Sequence, residues 1–193
     1  MTLEFDIRRT IILSSYMKHW GMPEYRKIIS RDNETIELYS FPCADNEFVS
    51  RFATVGLSSC HFKNAESCHS ELMLIVPKEI ALKQSEELSD YIFDVMAYIL
   101  DTLGRTVSFE DLIPENPLAP EGWPKALLFD EPRGEPEELN CFQIGSQHVE
   151  LLWLIPIFGS EYRLIKENGI GKFDEALESI ELSLVDVRRD SCV

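Results

Sequence analysis

Apolar positions along the chain fall into two periods, and together they predict the elements. Residues 151–155 (Leu151, Leu152, Trp153, Leu154, Ile155) form an unbroken apolar run, preceded by His148 and Glu150 and followed by Pro156. An apolar run of strand length without a polar side predicts a strand covered on both faces, stopped by a residue that cannot donate to a ladder. Ser160 and Glu161 then open a predicted helix, which Asn168 and Gly169 close. Serine is a preferred cap, an acid in the first turn suits the helix dipole, and glycine takes the left-handed closing position without steric cost. Such a strand needs neighbours on both edges and cover on both faces.

The rest of the pattern supplies them. Residues 2–20 predict a helix, with Ile12, Tyr16 and Trp20 on one face beside Leu13 and Met17, stopped by Gly21 and Pro23. Short apolar-rich runs at 25–30, 36–41, 48–57 and 71–76 read as an antiparallel meander, with the polar cluster 31–34 as a hairpin loop. Leu88, Tyr91, Ile92, Val95, Met96, Ile99, Leu100 and Leu103 follow helical spacing, and Gly104 ends that helix. Glu87, Asp90, Asp94 and Asp101 occupy its other side, and no base lies between Lys83 and Arg105, so the outer face is predicted to be purely anionic. Residues 105–125 are Pro-rich; the stretch is long for a loop, so it is either a boundary within an otherwise single 1–193 domain or a functional loop. Strands at 126–130 and 139–144 flank an acidic loop at 131–138, and Phe173, Leu177 and Ile180 mark a last short helix. Runs of strands with helices between them predict an α+β fold, a mixed and largely antiparallel sheet with flanking helices.

Charge changes this picture more than composition does. At 45% hydrophobic and 27% charged residues the chain is an ordinary globular protein. The net charge of −16 is uneven: residues 1–83 hold 11 acids and 10 bases, residues 84–193 hold 23 and 8. A field of that sign repels nucleic acid and anionic membrane and speeds encounter with a basic partner, although it also serves plain solubility. Glu4 and Asp6 stand where a signal peptide needs basic charge, and the apolar run 151–158 is too short to span a bilayer, so a cytoplasmic protein is expected. Five cysteines without regular spacing do not suggest a disulfide framework, and Cys43, Cys141 and Cys192 read as small apolar fillers.

Candidate chemistry is sparse. Cys60-His61 and Cys68-His69 offer four zinc-ligand types, but adjacent Cys-His is not the usual knuckle spacing, and both pairs fall in a polar stretch that reads as exposed. The segment Gly169-Ile170-Gly171-Lys172 lacks the leading glycine of a phosphate loop and carries Phe173 where magnesium needs a hydroxyl, so it is read as a helix–helix turn. No nucleophile elbow, zinc-protease or dinucleotide pattern is present. No metal or cofactor is expected, and no enzymatic activity.

The order of pieces resembles the suppressor of fused (Sufu) domain family. The features are the E-L-M-L-I-V-P strand from Glu71 to Pro77 with the long helix behind it, Trp123-Pro124 in the Pro-rich connection, L-L-W-L-I-P-I at Leu151 with Glu161 just beyond, and the closing D-V-R-R-D-S. The resemblance implies an α+β fold and a binding role. Animal members restrain transcription factors by direct binding, and bacterial members look like immunity proteins that neutralise a cognate toxin domain. The chain's shortness points to the bacterial kind. Toxins that act on nucleic acid are commonly basic. An acidic inhibitor would therefore dock through Glu87, Asp90, Asp94 and Asp101 on the helix and Glu131, Glu135, Glu137 and Glu138 in the loop. The alternative is an intracellular adaptor that sequesters an extended segment of a partner protein, added to a sheet edge.

Overall fold

The computed structural model describes residues 3–31, 34–42, 48–64 and 66–193. Asp32 and Asn33 of the expected hairpin loop, and Cys43, lie outside the described residues. The elements run α1 (Leu3–Trp20), β1 (Tyr25–Arg31), β2 (Glu34–Phe41), β3 (Val49–Val55), β4 (Ser70–Pro77), α2 (Lys78–Ala97), β5 (Leu112–Ile113), β6 (Ala126–Asp130), β7 (Cys141–Ile144), β8 (Gln147–Ile157), α3 (Gly159–Asn168) and α4 (Ile170–Ser179). The strands form one sheet in the order β1-β2-β3-β4-β8-β6-β5, with β7 also paired to β8. The first four strands are the expected meander, β4 runs parallel to β8, and the other pairings are antiparallel. The fold is α+β with a mostly antiparallel sheet, as the strand pattern implied.

Strand alternation sorts the core into two layers. Leu72, Leu74 and Val76 of β4 and Leu152 and Leu154 of β8 pack with α2 on one face. Met73 and Ile75 of β4 and Leu151, Trp153, Ile155 and Ile157 of β8 pack with α1, α3 and α4 on the other. The period of two in side-chain direction is what lets an apolar run serve both layers. β8 has neighbours on both edges, β4 on one side, β7 and then β6 on the other. It is an interior strand of the sheet, next to β4.

Several boundaries differ from the expectation for local physical reasons. β8 does not stop at Pro156 but continues to Ile157, with Pro156 opposite Leu127 of β6. The pairing with β4 ends at Trp153, so a missing N–H at position 156 costs no ladder bond on that edge. Ser160 is not the cap of α3; Phe158 holds that position, and its amide donates to the Glu161 side chain at 2.9 Å. The Ser160 hydroxyl bonds Ser191 instead. Gly169, with φ of 83°, closes α3 and leads directly into α4, in a conformation that a β-carbon would oppose. Ile180 falls just past α4 and is 48% exposed, so it is not part of the buried face. α2 begins earlier than its apolar stripe suggests, bends at Gln84 (φ −130°, ψ 26°) and ends in a π-helical turn, Tyr98–Leu103. The Pro-rich stretch 105–125 carries β5, and its Val107, Ile113, Ala119 and Trp123 are buried in the same core as α2.

Candidate functional site

A groove of about 700 Å³ lies between α2, at its Gln84 bend, and the Pro-rich connection. Glu86, Glu87, Asp90 and Asp94 line the helix side, Lys83 stands at its end, and Leu118 and Pro120 form the opposite wall. That wall is fixed from behind. Lys125 donates its ammonium to the carbonyls of Ala119 at 2.7 Å and Pro120 at 2.9 Å. Trp123, buried in the core, packs edge-on against the Tyr91 ring at 5.6 Å.

Tyr91 itself lines the groove. It is 2% exposed, and its hydroxyl has no hydrogen-bond partner among the described residues. Burial pushes the phenol well above its ordinary value, so it is a neutral hydroxyl able to accept one proton and give another. A buried polar atom left unpaired costs roughly 1–3 kcal/mol, which a partner group reaching it would recover. This combination distinguishes the groove from a merely solvated acidic face.

The predicted docking residues divide on inspection. Glu87, Asp90 and Asp94 come together in the groove. The outer face is not purely anionic, however. Lys27 of β1 pairs with Asp90 at 2.7 Å, and Arg31 of β1 pairs with Asp101. These bases lie far away in sequence, and strand β1 carries them to the helix. Exposed pairs of this kind contribute little stability but cancel local field. Glu86, Glu87 and Asp94 make no ion pair among the described residues, although Glu87 accepts from the Gln84 amide at 2.8 Å.

The acidic loop belongs to the other layer. Glu135, predicted as a docking residue, is a structural acid: its side chain is only 6% exposed, accepting from Arg51 Nε at 2.6 Å and Trp20 Nε1 at 2.7 Å. Trp20 lies in the core on the α1 side of the sheet, opposite the α2 groove. Glu131, Glu137 and Glu138 are exposed. Glu135→Ala is therefore expected to lower stability by about 2–3 kcal/mol, because a buried indole N–H loses its acceptor. Glu137→Ala and Glu138→Ala should shift it by less than about 0.5 kcal/mol. Urea midpoints of the three variants check this.

The Cys-His pairs do not assemble. Cys60 and Cys68 are fully buried, not exposed as the polar stretch suggested, while His61 and His69 face outward. Burial pushes both thiols up, Cys68 to about 11. His61 pairs with Glu34 at 2.6 Å. Among the described residues no three metal-ligating side chains cluster. Cys141 is exposed and Cys192 half-buried, so neither is the enclosed filler expected of it.

Two acids that the sequence shows only as parts of motifs prove to be buried hubs. Glu71 is fully buried at the start of β4 and accepts from the amides of Gly56, Leu57 and Ser58 and the hydroxyls of Thr54 and Ser58. Glu161 is fully buried at the start of α3 and takes Arg189 in a two-pronged pair, with Arg189 Nη2 to Oε2 at 2.7 Å. The amides of Cys192 and Phe158 complete its shell. Glu161 and the closing D-V-R-R-D-S, which are distant in sequence, thus meet in space.

The sequence matches the family model for Suppressor of fused protein (SUFU) over residues 32–190. The chain belongs to the SUFU family. Its fold is similar to a SUFU homolog from Neisseria gonorrhoeae, with a TM-score of 0.72 at 14% identity, covering 97% of both chains. It is also similar to a chain of the Sufu–Fu complex, with a TM-score of 0.65 at 16% identity over 96% of this chain and 91% of that one. Drosophila Suppressor of fused matches with a TM-score of 0.60 and 19% identity; the alignment covers 82% of this chain and 42% of the Drosophila chain. No curated protein sequence matches. Two of the residues now central, Trp123 behind the groove and Glu161 at the α3 knot, are residues of the SUFU resemblance. No helix among the described residues is long and apolar enough to cross a membrane.

Proposed function

We propose that this SUFU chain is a non-catalytic binding domain that acts in the cytoplasm as an immunity protein. It neutralises a cognate basic toxin domain by seating a Lys or Arg side chain in the groove between α2 and the Pro-rich connection. The observation that carries this reading is the Tyr91 hydroxyl, buried and without a partner among the described residues, in a groove lined by the carboxylates of Glu87 and Asp94, which no base neutralises there. A guanidinium or ammonium entering there gains charge-assisted hydrogen bonds from the acids and gives a proton donor to the phenol oxygen. The acidity of residues 84–193 supplies the steering field. That another SUFU chain is solved in a Sufu–Fu complex supports a protein as the partner class.

The adaptor reading is favoured by one observation. β1 ends the sheet, and its outer edge pairs with no strand among the described residues, so an extended segment has a place to add. Co-expression separates the two. If the gene upstream encodes a secreted protein with a toxic C-terminal domain, this chain is expected to restore growth to cells poisoned by that domain. Asp94→Lys is expected to abolish the rescue while leaving expression unchanged. Failure of the wild-type chain to protect excludes the immunity role, and full protection by Asp94→Lys excludes the groove.

A further inference from the structure

The described cysteines are not chemically alike. Cys60 and Cys68 are enclosed, and in Cys192 burial and the nearby Glu161 push the thiol up to about 11. Cys141 is the exposed one, at the first position of β7. The β7–β8 register places Cys141 opposite Glu150 and Gln143 opposite His148. Cys141, His148 and Glu150 therefore share one face of the ladder, and the diagonal brings Cys141 Sγ to 3.7 Å from His148 Nδ1. A pocket of about 410 Å³ opens over this pair, bounded by Phe109, Pro132, Glu131 and Leu152. It lies outside the α2 groove and shares no residue with it.

We propose that Cys141 and His148 form a thiol–disulfide exchange site for a small neutral or cationic disulfide. His148 Nδ1 takes the proton from Cys141 Sγ, and the thiolate attacks one sulfur of R–S–S–R. The bond from Cys141 Sγ to that sulfur forms as the original S–S bond breaks. The departing R–S⁻ takes the proton from the imidazolium and leaves as a thiol. One thiol and one disulfide stand on each side, so no other oxidant enters. The charged groups facing His148 are Glu131, from the loop after β6, and Glu150 on β8. Both repel an anionic disulfide, which sets the substrate class. Phe109, Pro132 and Leu152 offer apolar contact to a short aliphatic arm.

The test treats the full chain at pH 7 with cystamine or with glutathione disulfide at equal concentration, and reads the modified cysteine by peptide mass mapping. Cys141 is expected to carry the cysteamine adduct first, with cystamine reacting about tenfold faster than the anionic disulfide. Cys141→Ser should remove that adduct and leave the far-ultraviolet circular dichroism unchanged. His148→Gln should slow the reaction about tenfold or more at pH 7. It should also change the shape of the pH–rate profile by removing the imidazole-dependent limb. The proposal is overturned if His148→Gln keeps the wild-type rate and profile, if glutathione disulfide reacts as fast, or if another cysteine is modified first.

Discussion

Glu161→Ala is expected to lower the unfolding free energy by about 3–5 kcal/mol, because it leaves the Arg189 guanidinium buried without its counter-charge. Arg189 is 6% exposed, and both prongs of its fork go to Glu161. The amides of Phe158 and Cys192 lose their acceptor in the same step. The loss spreads because the knot ties the start of α3 to residues 186–193, whose Val187 is buried in the α2-side core. For a chain of this size the melting temperature should fall by roughly 10 °C. The effect also depends on pH. Burial raises the Glu161 carboxyl, but Arg189 and the two amides outweigh it and hold the group below its ordinary value of 4.5. A folded value below the unfolded one stabilises the protein above pH 4.5, and this stabilisation is lost as pH falls through the folded value. Urea unfolding at pH 7 and at lower pH should therefore show the gap between wild type and Glu161→Gln narrowing with acid. A gap independent of pH would show that the carboxylate charge plays no part.

Glu71→Ala is expected to be nearly as costly, on the order of 3–4 kcal/mol, and for a different reason. Five uncharged donors from residues 54–58 converge on this carboxylate. Successive amides aimed at one anion form a nest, and each loses its partner when the carboxylate goes. Gly56 permits the turn: its φ is 107°, and a β-carbon there would lie 2.4 Å from the Thr35 carbonyl oxygen. Gly56→Ala should therefore destabilise by the same route. Urea midpoints for Glu71→Ala and Gly56→Ala check both, and a Glu71→Ala loss under about 1 kcal/mol would show that water replaces the carboxylate.

The architecture was legible where periodicity alone decides it. The two-residue alternation in β4 and the unbroken apolar run in β8 told which strands are central, and the helical spacing from Leu88 to Leu103 told which face of α2 is buried. What periodicity cannot show is the fate of an acid. Glu71, Glu135 and Glu161 look in sequence like surface residues, because an acid is buried only when partners come from elsewhere in the chain. Their partners lie 13 to 17 residues away for Glu71, 84 and 115 for Glu135, and 28 for Arg189. The same distance effect hid Lys27 and Arg31 beside Asp90 and Asp101. The groove was half visible. Its acids were named from the helix face, but the missing partner of Tyr91 depends on how Trp123 and the Pro-rich connection pack, which no local pattern encodes. Cys60 and Cys68 were misplaced because polar neighbours outvoted the inward alternation of the two positions.

In the proposed complex the α2 groove, and not the acidic loop, receives the partner's basic side chain. The direct measurement is the binding of the cognate toxin domain to four versions of the chain by surface plasmon resonance: wild type, Tyr91→Phe, Asp94→Lys and the double variant Glu137→Lys/Glu138→Lys. Asp94→Lys is expected to weaken binding at least about a hundredfold, since it sets a like charge against the incoming base in place of an attractive one. Tyr91→Phe should weaken it about tenfold, mainly through faster dissociation. The loop variant should change only the association rate, by a few-fold and less at high salt. Unchanged affinity in Tyr91→Phe and Asp94→Lys, with loss in the loop variant, would contradict the account.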